Sequence, residues 1–280
     1  MNSLPLRDIS AAEIAAYGRD GVVNLRGMFD GQWVERLRGA IQRDMDKPSG
    51  MAANFNAEGT PGRFFGDMFM WTWDDDFRAA FVESPGPAIA ARMLGASRVN
   101  VFYDQLFAKE PGTAKPTPWH QDQPYWAVKG WQVCTLWIAL DAVDRDNGAV
   151  EFVAGSHKWD RWFAPVAFRE GNHNDQRYRH SPYEKVPDIE AERARHDIKW
   201  FAMEPGDCLV FHAMIMHGAP GNRSMARRRR GLALRYTGDD VRYDPRPGTF
   251  QMVREPQLAA GAIMDCDLFP RVWPRAGEFP

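Results

Sequence analysis

From Arg98 onward the chain breaks into short runs rich in β-branched and aromatic residues, at 99–109, 133–140, 149–153, 199–203, 208–215 and 231–237. Glycine- and proline-bearing turns divide them. Many short strands without intervening helices predict a β-sandwich or barrel rather than a parallel α/β sheet. Helical signals gather ahead of this region. Ser10-Ala-Ala-Glu13 is a capping box that opens a short helix, and Asp30 caps a second in which Trp33, Leu37 and Ile41 recur at helical spacing. A third spans 87–94 and ends at Gly95. Residues 21–26 read as a short strand, and 50–77, rich in Gly, Asn and aromatics, as a long ordered loop. The expectation is one domain over 1–280, mainly β with N-terminal helices. Its helical part is about 1–97, its β core about 98–240, and its extension, 241–280, carries no motif. The polar stretch 160–197 is long for a loop inside a compact domain and reads as a lid.

At 280 residues and 44% hydrophobic content the chain can bury a sizeable core. A formal charge of −2 gives no general pull toward nucleic acid or an anionic membrane. No run approaches the roughly eighteen apolar residues of a membrane span, and Met1-Asn2-Ser3-Leu4-Pro5 lacks a secretion signal. Cys134, Cys208 and Cys266 lie far apart, so neither a disulfide framework nor a CxxC zinc clip is expected, and a reducing cytoplasm fits. Of eleven tryptophans, Trp119, Trp126, Trp131 and Trp137 flank the segment that carries the chemistry. They read either as an aromatic-lined pocket or as core packing.

That segment is His120-Gln121-Asp122. On one strand His120 and Asp122 would share a face, because side chains alternate with a period of two. A second histidine from a distant strand would complete two imidazoles and one carboxylate. This is the ligand set of non-heme Fe(II) oxygenases, which keeps positions open for cosubstrate and oxygen. Of the seven histidines, the six other than His120 compete for the remaining place. His173, His180 and His196 lie in the polar insertion, and His157 follows a strand and anchors a turn. If one strand runs from 208 to about 217, His217 shares a face with Leu209, Phe211, Ala213 and Ile215, while His212 points away. Parity therefore favours His217.

The segments 119–125 (Trp-His-Gln-Asp-Gln-Pro-Tyr), 133–140, 147–158, Pro205-Gly206-Asp207 and 217–222 (His-Gly-Ala-Pro-Gly-Asn) together resemble the phytanoyl-CoA dioxygenase family. Ectoine hydroxylase is a more distant relative. The likeness runs from residue 9 to about 240. It implies a double-stranded β-helix (a jelly-roll, cupin-like barrel), Fe(II) held by His120, Asp122 and His217, 2-oxoglutarate and O2. It also implies hydroxylation of a C–H bond of a small molecule, with release of succinate and CO2. An arginine is expected on the distal carboxylate of 2-oxoglutarate, and the run 227–230 offers four. Counting eleven residues from His217, as the family does, lands on Arg228. Strand parity favours Arg229, on the face of Gly231 and Ala233, and we take Arg229. Trp137, Lys109 and Gln105 are further cosubstrate candidates, and Tyr125, Trp126, Phe152 and Trp162 candidates for the substrate pocket. Ala219 stands where the family often has serine. Asp122 argues against halogenation, since halogenating relatives have a small residue there. Two rival readings use the same three ligands: a non-enzymatic metal- or ligand-binding jelly roll, and a zinc hydrolase.

Overall fold

The computed structural model describes residues 1–168 and 181–275. Helix α1 (Ala11–Asp20) starts at Ser10 with both bonds of the capping box in place. Strand β1 is Val22–Leu25. Helix α2 (Gly31–Asp46) starts where the Asp30 carboxylate accepts from the backbone N–H of Trp33, and it buries Trp33, Leu37 and Ile41. The stretch expected as a loop holds β2 (Ala53–Asn54), β3 (Phe64–Met68) and the start of α3 (Asp75–Val82). Two of its aromatic residues, Phe64 and Phe65, open β3, hidden from a sequence reading because Gly66 and Asp67 follow them at once. Helix α4 (Gly86–Leu94) ends at Gly95 in the left-handed region.

The remaining strands are β4 (Val99–Lys109), β5 (Thr117–His120), β6 (Val128–Lys129), β7 (Val133–Ala139), β8 (Glu151–Val153), β9 (Ile198–Trp200), β10 (Cys208–His212), β11 (His217–Ala219), β12 (Arg229–Thr237), β13 (Arg242–Tyr243) and β14 (Arg271–Trp273). With β1–β3 they form two main antiparallel sheets, and β6 and β13 pair as a separate two-stranded ribbon. The larger runs β1-β10-β7-β12-β4-β3-β2, with β14 added to β4; the smaller runs β5-β11-β8-β9. This is the jelly-roll architecture, with α1–α4 against the large sheet and the main apolar core between them. Strands β4, β12 and β7 are its rigid centre: β12 pairs with β4 on one side and β7 on the other over most of its length.

The expected division at residue 97 does not follow the sheets. Strands β1, β2 and β3, from the first hundred residues, belong to the large sheet, and the extension supplies β14 to it. The Pro205-Gly206-Asp207 turn is explained by packing. Gly206 has φ +94°, and a Cβ there would meet the Phe29 carbonyl oxygen at 2.5 Å. The Asp207 carboxylate accepts from the backbone N–H of Gly27 at 2.7 Å and of Glu204 at 3.0 Å, tying this turn to the one after β1. Among the described residues no helix is long and apolar enough to cross a membrane.

Candidate metal centre and cosubstrate pocket

Asp122 is not on the strand with His120. Strand β5 ends at His120, and Asp122 has helical backbone angles at the start of a short 3-10 turn, its N–H donating to Ala213 O at 3.0 Å. Likewise the run 208–215 is not one strand: β10 stops at His212, a turn follows, and His217 opens β11 in the other sheet. Parity over a continuous strand therefore did not place His217; sheet exchange did. The three residues nonetheless converge. His217 and His120 are register partners across β11 and β5, and the candidate ligand atoms of His120, Asp122 and His217 all lie within 4.8 Å of one another.

The atoms that face each other are the right ones. His120 Nδ1 donates to Pro118 O at 2.8 Å and His217 Nδ1 to Ile215 O at 3.0 Å. A carbonyl can only accept, so Nδ1 carries a proton in both rings and Nε2 is the nitrogen left to face a metal. Asp122 Oδ1 lies 3.4 Å from Nε2 of His120 and 4.0 Å from Nε2 of His217. Burial, with His120 second, pushes His217 down to about 3, so its ring is neutral at neutral pH. Burial alone would raise the Asp122 carboxyl, but Arg235, His120 and His217 hold it below the usual carboxylate range. Two imidazoles that turn Nε2 inward and an ionised carboxylate aimed at one point suit a divalent cation with ligands at about 2 Å.

His212 has no free nitrogen. Nε2 donates to Trp131 O at 2.8 Å, and Nδ1 accepts from Met214 N at 3.0 Å. Exposed Trp131 covers it, 4.2 Å between ring centroids, so this tryptophan belongs to a packing cluster with His212 and His157 instead of the pocket. His157 sits buried in the short turn after β8, as expected, and half-buried His196 lies near Trp159. His173 and His180 fall outside the described residues.

A cavity of about 280 Å3 opens beside the triad. Arg229 lines it and is 2% exposed. The rest of the arginine run is spent on carboxylates: Arg227 on Asp144 at 2.7 Å, Arg228 on Glu110 at 3.2 Å, and Arg230 on Asp141 at 2.7 Å. Among the described residues no carboxylate lies within ion-pair distance of Arg229, and its Nε is buried without a partner. Burial pushes this guanidinium down to about 10. A buried charge without a counter-charge is costly, so the position fits an anionic ligand. Trp137 stands beside it, 5.6 Å from guanidinium carbon to ring centroid. Gly231 makes room for that indole, since a Cβ there would lie 1.8 Å from Trp137 Cζ2.

Other candidates divide. Gln105, Tyr125 and Trp126 line the cavity. Lys109 does not. It is fully buried behind β11, its Nζ donating to Pro220 O at 2.7 Å and lying 4.6 Å over the Phe64 ring. Burial and neighbouring Arg229 push its ammonium well down. It braces the turn after β11 instead of reaching a ligand. Phe152 is also off the cavity, fully buried with its ring 5.9 Å from His217 and 5.1 Å from Phe211. It packs beside the metal ligand, because register partners on β8 and β11 point to the same side of the small sheet. Trp162 stacks on Tyr183 and Arg246. Ala219 lines the cavity without a hydroxyl.

Sequence reasoning missed much of the wall. Met51, Phe55, Met68, Phe168 and Phe250 line it, from segments read as loop, lid and unmarked extension. It also missed Arg235, although 229, 231, 233 and 235 share one parity and Arg235 follows from the same alternation that selected Arg229. The expected lid is anchored at both described ends: Tyr125 and Val166 bond each other, and Arg193 pairs with Glu151 at 2.9 Å. Residues 169–180 lie outside the described residues.

The phytanoyl-CoA dioxygenase family model matches residues 17–231. A probable phytanoyl-CoA dioxygenase of Caenorhabditis elegans is 28% identical over 193 residues, 64% of this chain, and the chain spans 56% of that relative's length. A non-heme alpha-ketoglutarate-dependent carbocyclase of nogalamycin biosynthesis superposes with a TM-score of 0.76 at 20% identity, covering 97% of this chain and all of that one. An epimerase of the same biosynthesis gives 0.72 at 20% identity over 96% and 98%. At that identity the likeness speaks for the fold.

Proposed function

The chain belongs to the phytanoyl-CoA dioxygenase family of Fe(II)- and 2-oxoglutarate-dependent oxygenases, and from that premise we propose that it hydroxylates a C–H bond of an apolar small molecule. The observation that carries the proposal is the pairing, in one cavity, of the His120–Asp122–His217 cluster with Arg229, a buried cation without a carboxylate among the described residues. A zinc hydrolase or a passive metal-binding jelly roll has no need of that second cation.

In this reading His120 Nε2, Asp122 Oδ1 and His217 Nε2 hold iron(II). When bound, iron(II) with 2-oxoglutarate supplies activation of O2, with loss of CO2, formation of succinate and delivery of one oxygen atom to the substrate. The protein's work is placement. Arg229 grips the distal carboxylate of 2-oxoglutarate through its planar fork. Trp137 and Gly231 shape the slot beside that guanidinium. Thioether and aromatic side chains of Met51, Phe55, Met68 and Phe250 give the cavity an apolar wall. That wall would accept a hydrocarbon surface and exclude water from the reacting carbon. The charged residues lining the cavity, among those described, are Asp122, Arg229 and Arg235, so an apolar substrate fits better than a zwitterion.

Anaerobic reconstitution with Fe(II), then O2, 2-oxoglutarate and a library of apolar metabolites tests the proposal. Succinate formed in step with a product that has gained one oxygen supports it. A product that is an isomer, or has lost two hydrogens to ring closure, would assign epimerisation or cyclisation instead. Absence of any Fe(II)-dependent succinate would refute the oxygenase reading.

A further inference from the structure

Because Asp122 lies past the end of β5, strand geometry does not orient its carboxylate, and something else has to. Oδ1 faces the two Nε2 atoms, whereas Oδ2 is turned toward the large sheet. There Thr135 Oγ1 donates to Oδ2 at 3.3 Å and Arg235 Nε approaches it at 3.6 Å. Thr135 and Arg235 are register partners on β7 and β12. Arg235 is 3% exposed and is itself held: Nη2 donates to Gln105 Oε1 at 2.9 Å, and the guanidinium carbon lies 4.4 Å over Tyr103 and 5.3 Å over Trp126. Trp126 Nε1 in turn donates to the Tyr103 hydroxyl at 2.9 Å. Among the described residues, Nε and Nη1 of this buried cation make no hydrogen bond. A fold seeking only stability would not retain a buried guanidinium with two donors short of a hydrogen bond, one of them facing Asp122.

We propose that Arg235 is the positioning residue of the metal centre: a strut from the rigid middle of the large sheet that holds Asp122 Oδ2, so that Asp122 offers the metal one oxygen. Held this way, Asp122 occupies a single coordination position and leaves the rest for cosubstrate and oxygen. The inference rests on the metal-centre reading above. Arg235 acts through Asp122 and is not a ligand for 2-oxoglutarate, the part assigned to Arg229.

A double-mutant cycle tests this without turnover, with Ni(II) as a redox-inert probe of the centre, titrated calorimetrically. Arg235→Gln is expected to weaken Ni(II) binding by about 10–100-fold, the usual effect of losing an outer partner of a metal ligand. In an Asp122→Ala background the same substitution should change affinity less than about twofold. An equal loss in both backgrounds, unchanged binding, or tighter binding would overturn the proposal. Thr135→Val, which removes the other donor to Oδ2, repeats the cycle should Arg235→Gln fail to fold; its loss of affinity too should vanish without Asp122. His120→Ala separates the two levels. If it leaves Ni(II) binding to the otherwise wild-type chain intact, the metal-centre reading itself has failed.

Discussion

Arg228 and Arg229 are adjacent, and the structure sets them to opposite fates, so replacing each with alanine gives the sharpest test of the cosubstrate site. Arg229 is 2% exposed and without a carboxylate among the described residues, whereas the Arg228 side chain is 40% exposed and pairs with Glu110 at 3.2 Å. If 2-oxoglutarate fills the place beside Arg229, Arg229→Ala leaves a buried carboxylate unpaired, which costs about 2–5 kcal/mol. At about 1.4 kcal/mol per factor of ten, affinity falls by roughly 30- to 3,000-fold. Arg228→Ala removes a surface pair, an effect of about fivefold at most. The assay is anaerobic titration of the Fe(II)-loaded protein with 2-oxoglutarate. An internal control follows from the same structure. Without the ligand Arg229 is a desolvated charge with no carboxylate in ion-pair distance among the described residues, so Arg229→Met should leave the ligand-free protein as stable as wild type or more so, by denaturant melt. A larger loss for Arg228→Ala than for Arg229→Ala would refute the assignment and return the role to the residue eleven past His217.

Substituting His120, Asp122 or His217 by alanine should abolish Fe(II)-dependent succinate formation. His212→Ala should keep it while lowering the unfolding midpoint, because it strands Trp131 O and Met214 N; an iron-free His212 variant beside an active His217 variant would reverse the assignment. Gly231→Ala should cost about 1–3 kcal/mol by overpacking against Trp137 and weaken 2-oxoglutarate binding as well; a variant with wild-type stability and affinity would show that the indole has room to move. Asp44 is buried against Asp67, and burial followed by that neighbour pushes its carboxyl up to about 8. The folded chain then binds this proton more tightly than the unfolded chain, so stability should fall as pH rises from about 4 to about 8. Denaturant melts of Asp44→Asn should lose that slope; an unchanged slope would assign it elsewhere.

How much of this was legible in the sequence depended on how local the signal was. Caps were: Ser10, Asp30 and Gly95 act through bonds and backbone angles within a few residues, and the helices begin and end there. Strand alternation was legible where a strand is continuous. Along β12 it put Arg229 and Ala233 on the cavity face, and it also carries Arg235 there. It failed where a strand ends unannounced, as at His120 and His212, because a turn of ordinary residues carries no mark that distinguishes it from two more residues of strand.

The sequence by itself determined the chemistry on offer: two imidazoles, a carboxylate and a run of arginines on a chain patterned to close as a jelly roll. Only tertiary structure decided which of those groups are free to act. It consumed Arg227, Arg228 and Arg230 on carboxylates at least 80 residues away along the chain, and it left Arg229 without one among the described residues. It buried Lys109 against carbonyls, tied up both nitrogens of His212, and turned Phe152 behind His217. It brought Phe55 and Phe250 to one cavity from opposite ends of the sequence. The physical reason is that charge and donor capacity belong to a residue, whereas desolvation and pairing belong to its neighbours, and in an antiparallel jelly roll most neighbours are distant along the chain.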